Sequence, residues 1–98
     1  MPTPEPALVG QHDAVSAITS IADGRARVDE IDAVLRDLIA TRRHISDRIQ
    51  QLRMAGGGPR VERRRECEVL AAWSVGLGPP GADVARALLT LCRGPGAR

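Results

Sequence analysis

The sequence predicts an all-α protein with one long, one medium and one short helix, and three observations support this class. Apolar residues make up 43% of the 98 residues, but Phe and Tyr are absent and there is one Trp, so the core must be aliphatic. Apolar side chains recur at steps of three and four, which is the period of one helix face. No segment shows the alternation of a strand, and there is no internal repeat.

The long helix is predicted from about Gly24 to Ala55, a stretch without proline. Its apolar stripe consists of Val28, Ile31, Leu35, Leu38, Ile45, Ile49 and Leu52. We expect Asp23 to cap its start and the glycines at 56–58 to end it. About 32 residues at 1.5 Å each give a length of roughly 48 Å. The remaining segments are too short to cover this stripe, so we expect a second copy to cover it in a homodimer.

Two shorter helices are predicted after the glycine run. Residues 60–76 show a helical pattern of three to four turns, residues 76–83 (GLGPPGAD) are expected to form a turn, and a third helix should begin near Asp83 or Val84 and end near Cys92. The proline-rich start predicts a flexible tail over residues 1–20, with one helical turn near its end. The ordered domain is therefore expected to span residues 21–98.

Charge and cysteine content limit the classes of function. All 14 basic residues are arginine and the net charge is +2, which permits an anionic partner without requiring one. Interleaved glutamates and the single aromatic residue argue against nucleic-acid binding by residues 60–66. The sequence has no signal peptide and no apolar run near the ~18 residues that span a membrane, so we expect a cytoplasmic protein without a membrane partner. Cys67 and Cys92 lack metal-type spacing and are expected to be buried thiols.

An arginine interrupts the apolar stripe. The alternation after Leu38 falls on Arg42, whose guanidinium would need a carboxylate or an anionic ligand in a dry seam. Arg53 lies 11 positions further along, on nearly the same face, so both side chains can converge on one small molecule. Arg25 points about 100° away from Arg42, which suits a contact across a dimer.

Two alternatives remain open on spacing alone. Arg42 could pair with a glutamate of a partner helix while Arg53 is solvated. The chain could also be a non-enzymatic helical dimerisation module, which would explain the stripe but not the arginine within it.

The segment GRARVDEIDAVLRDLIATRRHISDRIQQLRMAGGGPRVERRRECEVL, residues 24–70, resembles the AroQ-class chorismate mutases. Their pattern is R-x-x-[IV]-x-x-[IL]-D, then R-R or R-x in the same helix, a basic residue 11 positions later, and an R-E pair opening the second helix. The tail LGPPGADVARALLTLCRG is similar to short intracellular actinobacterial (delta-type) members. The resemblance implies a chorismate mutase type II domain over residues 21–98, folded as an intertwined all-α homodimer. It also implies a concerted rearrangement of chorismate to prephenate without cofactor or metal.

The resemblance also assigns roles to individual residues. Arg42 and Arg65 match the arginines that grip the substrate carboxylates, and Arg53 matches the cation at the ether oxygen. Glu66 matches the glutamate that orients the ring hydroxyl or assists at the ether bond. Arg42, Arg53 and Glu66 are therefore the expected catalytic residues.

The resemblance has further implications for the second subunit and for the C-terminus. Arg25 matches the arginine given to the other subunit's pocket, and Glu62 matches an acidic residue found in some members. The Ser and Gln contacts of a longer third helix have no counterpart here, which implies a weak catalyst that DAHP synthase activates by docking on the flexible residues 93–98. Amino-deoxychorismate mutase and isochorismate pyruvate-lyase activities would use the same arginines, so the sequence leaves the substrate open.

Overall fold

The computed structural model of the protein describes residues 15–58 and 62–93, which contain three α-helices and no strand. Helix α1 spans Ile21–Gly56, α2 spans Arg63–Leu77 and α3 spans Pro79–Arg93. These bounds confirm the all-α class and the order of one long and two shorter helices. Residues 1–14, which form most of the expected tail, lie outside the described part.

The start of α1 differs from the prediction by one turn. The backbone N–H of Asp23 donates to the hydroxyl of Ser20 at 3.0 Å, so Ser20 is the N-cap and Asp23 lies inside the helix. Both residue types are good caps, and Ser20 takes the position here. The expectation that Asp23 caps the helix is therefore wrong, and α1 is longer than predicted at 36 residues.

The end of α1 follows the prediction closely. Gly57 has a φ of 78°, which favours glycine because a Cβ is strained there. The N–H of Gly58 donates to the carbonyl of Arg53 at 2.9 Å, and the N–H of Gly57 donates to Met54 at 3.2 Å. This pair of bonds is a Schellman motif, which satisfies carbonyls that the helix end leaves free.

Helices α2 and α3 form a tight antiparallel hairpin. A single residue, Gly78, with a φ of 73°, separates them, and Pro79 and Pro80 open α3. The prediction of a turn over residues 76–83 is therefore wrong, because proline suits the first turn of a helix, where an N–H has no intrahelical partner. A Cβ on Gly81 would overlap the carbonyl oxygen of Trp73, so glycine is required at this crossing of the hairpin.

Burial is concentrated in the hairpin. The buried hydrophobic residues of the described part are Val69, Ala85, Leu88 and Cys92. No residue of α1 is buried, and Leu38 and Ile45 of its stripe are 59% and 57% exposed. A single chain thus leaves the apolar stripe of α1 uncovered, as the sequence predicted.

Contacts divide the chain into two units, one ending at Leu35 and the other beginning at Arg36. The second unit contains the later part of α1 and the hairpin. In the described segments, no helix combines the length and the apolar character needed to cross a membrane.

Candidate active site

The second unit contains a cavity of about 150 Å³ that is partly open to solvent. All three helices contribute to its wall, which consists of Arg42, Ser46, Ile49, Gln50, Arg53, Glu62, Arg65, Glu66, Val69, Leu89, Cys92 and Arg93. Five of the six charged residues singled out in the sequence are therefore in one place. The sixth, Arg25, is an exposed residue near the start of α1 and belongs to the first unit.

Arg42 enters the cavity from α1. Its Nη1 donates to the Sγ of Cys92 at 2.9 Å, and Cys92 is only 4% exposed. In the described part of the chain, the ion pairs do not include Arg42. Within these residues the Sγ of Cys92, and not a carboxylate, accepts from the Arg42 guanidinium, and the alternative of a glutamate on a partner helix stays a prediction.

Arg53 lies about three turns further along α1 and pairs with Glu62. The Nη2 of Arg53 is 2.5 Å from an Oε of Glu62, the residue that precedes α2. The Arg53 side chain is only 23% exposed, which disfavours the alternative in which Arg53 is solvated. This ion pair joins the end of α1 to the start of α2 across the segment that contains the glycine run.

Glu66 is engaged by the last residue of α3. The Nε of Arg93 donates to one carboxylate oxygen of Glu66 at 2.9 Å, and Nη2 donates to the other oxygen. The pair is bidentate and mostly shielded, with the Glu66 side chain 21% exposed. The hydrogen bond from Arg93 to Glu66 and the charge of that carboxylate raise the pKa of the Arg93 guanidinium above its ordinary value.

Arg65 occupies the rim of the cavity. Its side chain is 66% exposed and lies 3.6 Å from a carboxylate oxygen of Glu68, one turn further along α2. An exposed pair of this kind contributes little to stability, so the guanidinium can leave it readily for another anion. The neighbouring Arg63 and Arg64 are exposed and do not line the cavity.

The structure corrects two expectations about the third helix. The absence of third-helix contacts was expected, but Leu89, Cys92 and Arg93 all line the cavity. Arg93 was expected in a flexible C-terminal segment, whereas it ends α3 and is paired with Glu66. Residues 94–98, the rest of that segment, lie outside the described residues.

Sequence reasoning did not place Cys92 and Arg93 in the cavity wall, since their contacts depend on how α3 packs on the other helices. It also missed Gln50, whose buried Oε1 accepts no hydrogen bond in the described residues. The position of Gln50, three residues before Arg53 on the same helix, was the available signal. Both cysteines are free thiols as expected, but Cys67 is exposed and not buried.

The charges of the wall define what the cavity can hold. Four arginines face two glutamates, which leaves an excess of two positive charges. Ile49, Val69 and Leu89 add apolar surface beside these charges. A small dianion with an apolar body is the complementary ligand, because charge-assisted hydrogen bonds from arginine match carboxylate groups. The fold and the site thus define a helical protein with a cavity suited to a small organic dianion.

Comparison with known proteins agrees with this class. The chain is 39% identical over 82 residues to the intracellular chorismate mutase of Mycolicibacterium smegmatis, which covers 84% of this chain and 79% of that protein. It is 41% identical over 70 residues to the intracellular chorismate mutases of Mycobacterium tuberculosis and Mycobacterium bovis, covering 71% of this chain and 66% of theirs. No protein-family model and no solved structure matches. The chain belongs to the chorismate mutase family, which confirms the resemblance found in its sequence.

Proposed function

We propose that the protein rearranges chorismate to prephenate in the cavity lined by Arg42, Arg53 and Glu66. The observation that carries this proposal is the excess of two positive charges on the wall, in a chain whose relatives are named chorismate mutases. Chorismate is a dianion with an apolar ring, which matches that charge and the apolar part of the wall. Amino-deoxychorismate and isochorismate carry the same two carboxylates and are the alternative substrates.

The reaction is a concerted pericyclic rearrangement. The ether C–O bond breaks while a C–C bond forms between the enolpyruvyl methylene and the ring, and no proton is transferred. The protein must therefore hold the substrate in a compact conformer and stabilise the negative charge that grows on the ether oxygen. Neither task needs a nucleophile or a general base.

The arginines divide these tasks by position. Arg42 and Arg65 approach from α1 and α2, so together they can clamp the two carboxylates and fix the folded conformer. Arg53 supplies the cation at the ether oxygen. It is already held by Glu62, so the substrate must share or displace that ion pair. Preorganised charge in a shielded pocket is the most effective way to stabilise a developing oxyanion.

Glu66 and Glu62 complete the proposed site. Arg93 occupies one lone pair on each carboxylate oxygen of Glu66, and the remaining lone pairs can accept the ring hydroxyl of the substrate. Glu62 keeps Arg53 directed into the cavity. We assign Glu66 to substrate orientation and Glu62 to substrate binding through Arg53.

The proposed functional unit is an intertwined homodimer. Support comes from the uncovered stripe of α1 and from the exposure of Arg25, which we assign to the pocket of the partner subunit. Burying a Leu or Ile side chain stabilises association by about 1.5–3 kcal/mol. Several such residues on one stripe make a dimer the favourable state.

We further propose that DAHP synthase activates the dimer, as the resemblance to the delta-type members suggests, and that both act in the cytoplasm on the route to aromatic amino acids. The relatives are named intracellular. The docking segment must lie beyond Arg93, because a partner that grips Arg93 would break its ion pair with Glu66. Kinetics with and without the synthase from the same organism test this partner.

The substrate is tested by incubating purified protein with chorismate, isochorismate and amino-deoxychorismate and identifying the products by NMR. We expect prephenate from chorismate and slower or no turnover of the other two. Preferred turnover of isochorismate to pyruvate and salicylate, or of the amino analogue, would select the alternative activity. No turnover of any of the three would favour the dimerisation module.

The site is tested by Arg42→Ala with Arg43→Ala as the matched control. Arg43 is the next residue along α1, is exposed and does not line the cavity. Arg42→Ala should lower kcat/KM by at least ~100-fold, equivalent to about 2.7 kcal/mol of transition-state stabilisation, whereas Arg43→Ala should stay within about twofold of the parent. Equal activity of the two variants would contradict the placement of the site.

A further inference from the structure

Among the four arginines of the cavity wall, Arg42 has a different kind of partner from the other three. Arg53, Arg65 and Arg93 each lie against a carboxylate, whereas Arg42 donates to the thiol of Cys92. A thiol is a neutral and weak hydrogen-bond acceptor. It can hold a guanidinium in one orientation without neutralising its charge.

The surroundings make this contact specific. Cys92 is buried in the last turn of α3, and its neighbour Arg93 holds Glu66 from the same turn. Two consecutive residues of α3 thus contact one side chain of α1 and one of α2. The last turn of α3 fixes the relative positions of Arg42, which we assign to a substrate carboxylate, and Glu66, which we assign to the ring hydroxyl.

We propose that Cys92 is the positioning residue for Arg42. Its sulfur is suited to this role because a substrate carboxylate easily replaces it as the hydrogen-bond acceptor of the guanidinium. A carboxylate side chain in place of Cys92 would compete with the substrate for the guanidinium of Arg42. An apolar side chain would leave the guanidinium free to adopt other rotamers, at a cost in entropy when the substrate binds. This inference rests on the proposed function, since it assigns Arg42 to a substrate carboxylate.

Three substitutions at one position separate hydrogen bonding from packing. Cys92→Ser keeps a neutral acceptor, Cys92→Ala removes it at nearly the same volume, and Cys92→Asp introduces a competing carboxylate. We expect kcat/KM for chorismate to stay within about threefold of the parent in Cys92→Ser and to fall about tenfold in Cys92→Ala. For Asp we expect KM to rise at least about tenfold while kcat changes less, because the lost binding is common to ground and transition states.

A double-mutant cycle then shows whether Cys92 acts through Arg42. If it does, Cys92→Ala should have no further effect on kcat/KM in an Arg42→Ala background. Assays at enzyme concentrations that keep the double variant above the uncatalysed rate provide the values, and circular dichroism with thermal melts confirms that each variant is folded. If the Cys92→Asp variant does not fold, the comparison of Cys92→Ser with Cys92→Ala and the double-mutant cycle still decide whether Cys92 positions Arg42.

The outcomes distinguish this inference from the function on which it rests. Each of three results would overturn the positioning role of Cys92. These are equal kcat/KM in Cys92→Ser and Cys92→Ala, additive effects in the double-mutant cycle, and an unchanged KM in a folded Cys92→Asp variant. If Arg42→Ala itself leaves turnover unchanged, the site assignment fails together with the inference. If Arg42→Ala is impaired and the cycle is additive, only the inference fails.

Discussion

Arg93, the last residue of α3, forms a bidentate ion pair with Glu66 in the first turn of α2, 27 positions earlier in the chain. The bond closes the open end of the α2–α3 hairpin, whereas Gly78 forms its other end. A carboxylate held on both oxygens by a planar guanidinium has one preferred orientation. The same contact therefore stabilises the hairpin and directs Glu66 within the cavity.

Replacing Arg93 by Met should lower stability by about 1–2 kcal/mol, between the values for exposed and buried ion pairs. It should also lower kcat/KM by about tenfold, because Glu66 loses its fixed orientation. The charge swap Glu66→Arg with Arg93→Glu should recover much of the stability but none of the activity, since the carboxylate then lies on the wrong helix. Recovery of activity in the swap would show that Glu66 has no specific role.

A second prediction concerns Arg53, the cation that we propose for the ether oxygen. A guanidinium stays charged throughout the range in which a folded protein is assayed, whereas a lysine ammonium titrates near pH 10. The parent protein should therefore lose no activity near pH 10 through residue 53, while Arg53→Lys should show a new alkaline decline in kcat. Profiles of kcat between about pH 6 and 11 test this, and a parent decline that disappears in Arg53→Lys would contradict the assignment.

A third prediction concerns the crossing of α2 and α3. A Cβ at position 81 would overlap the carbonyl of Trp73 and lie 2.8 Å from the Cβ of Leu77, so Gly81→Ala forces the helices apart. We expect a loss of about 1–3 kcal/mol in the free energy of unfolding, measured by denaturant titration at one protein concentration.

Gly76→Ala is the matched control for Gly81→Ala. Gly76 lies in α2, and a Cβ added there would meet nothing within 4 Å, so alanine should stabilise the helix by about 0.5–1 kcal/mol. We therefore expect the free energy of unfolding to rise in Gly76→Ala and to fall in Gly81→Ala. Equal effects would mean that the hairpin crossing is looser than described.

The sequence was most informative where a single helix determines the geometry. The spacing of Arg42 and Arg53 brings both to one cavity because the helical period fixes their common face. The end of α1 was predictable because Gly57 needs a φ that other residues rarely adopt. Local chemistry alone determines the common face of the two arginines and the end of α1.

Features that depend on packing between helices were not predictable in this way. The contacts of Cys92 with Arg42 and of Arg93 with Glu66 join residues 50 and 27 positions apart, so no local pattern contains them. The start of α3 is a different case. The sequence pattern predicts a turn at Pro79 and Pro80, whereas proline suits the first turn of a helix and here opens α3.

The last prediction concerns the apolar stripe of α1. Leu38 is 59% exposed in the single chain, and the hairpin is too small to cover the stripe to which it belongs. Ala40 is also exposed, but it lies two residues later, about 200° round the helix, and therefore on the other side. A glutamate at position 38 should prevent association of two stripes, whereas the same glutamate at position 40 should be tolerated.

Sedimentation equilibrium of the parent protein should give twice the chain mass of 10.5 kDa, with an unfolding midpoint that rises with protein concentration. Ala40→Glu should keep this mass and the activity of the parent. Leu38→Glu should sediment as a monomer at micromolar concentration and lose activity, because we propose that Arg25 acts in the pocket of a partner subunit. A mass near 10.5 kDa for helical, active parent protein would rule out the dimer and the role of Arg25 together.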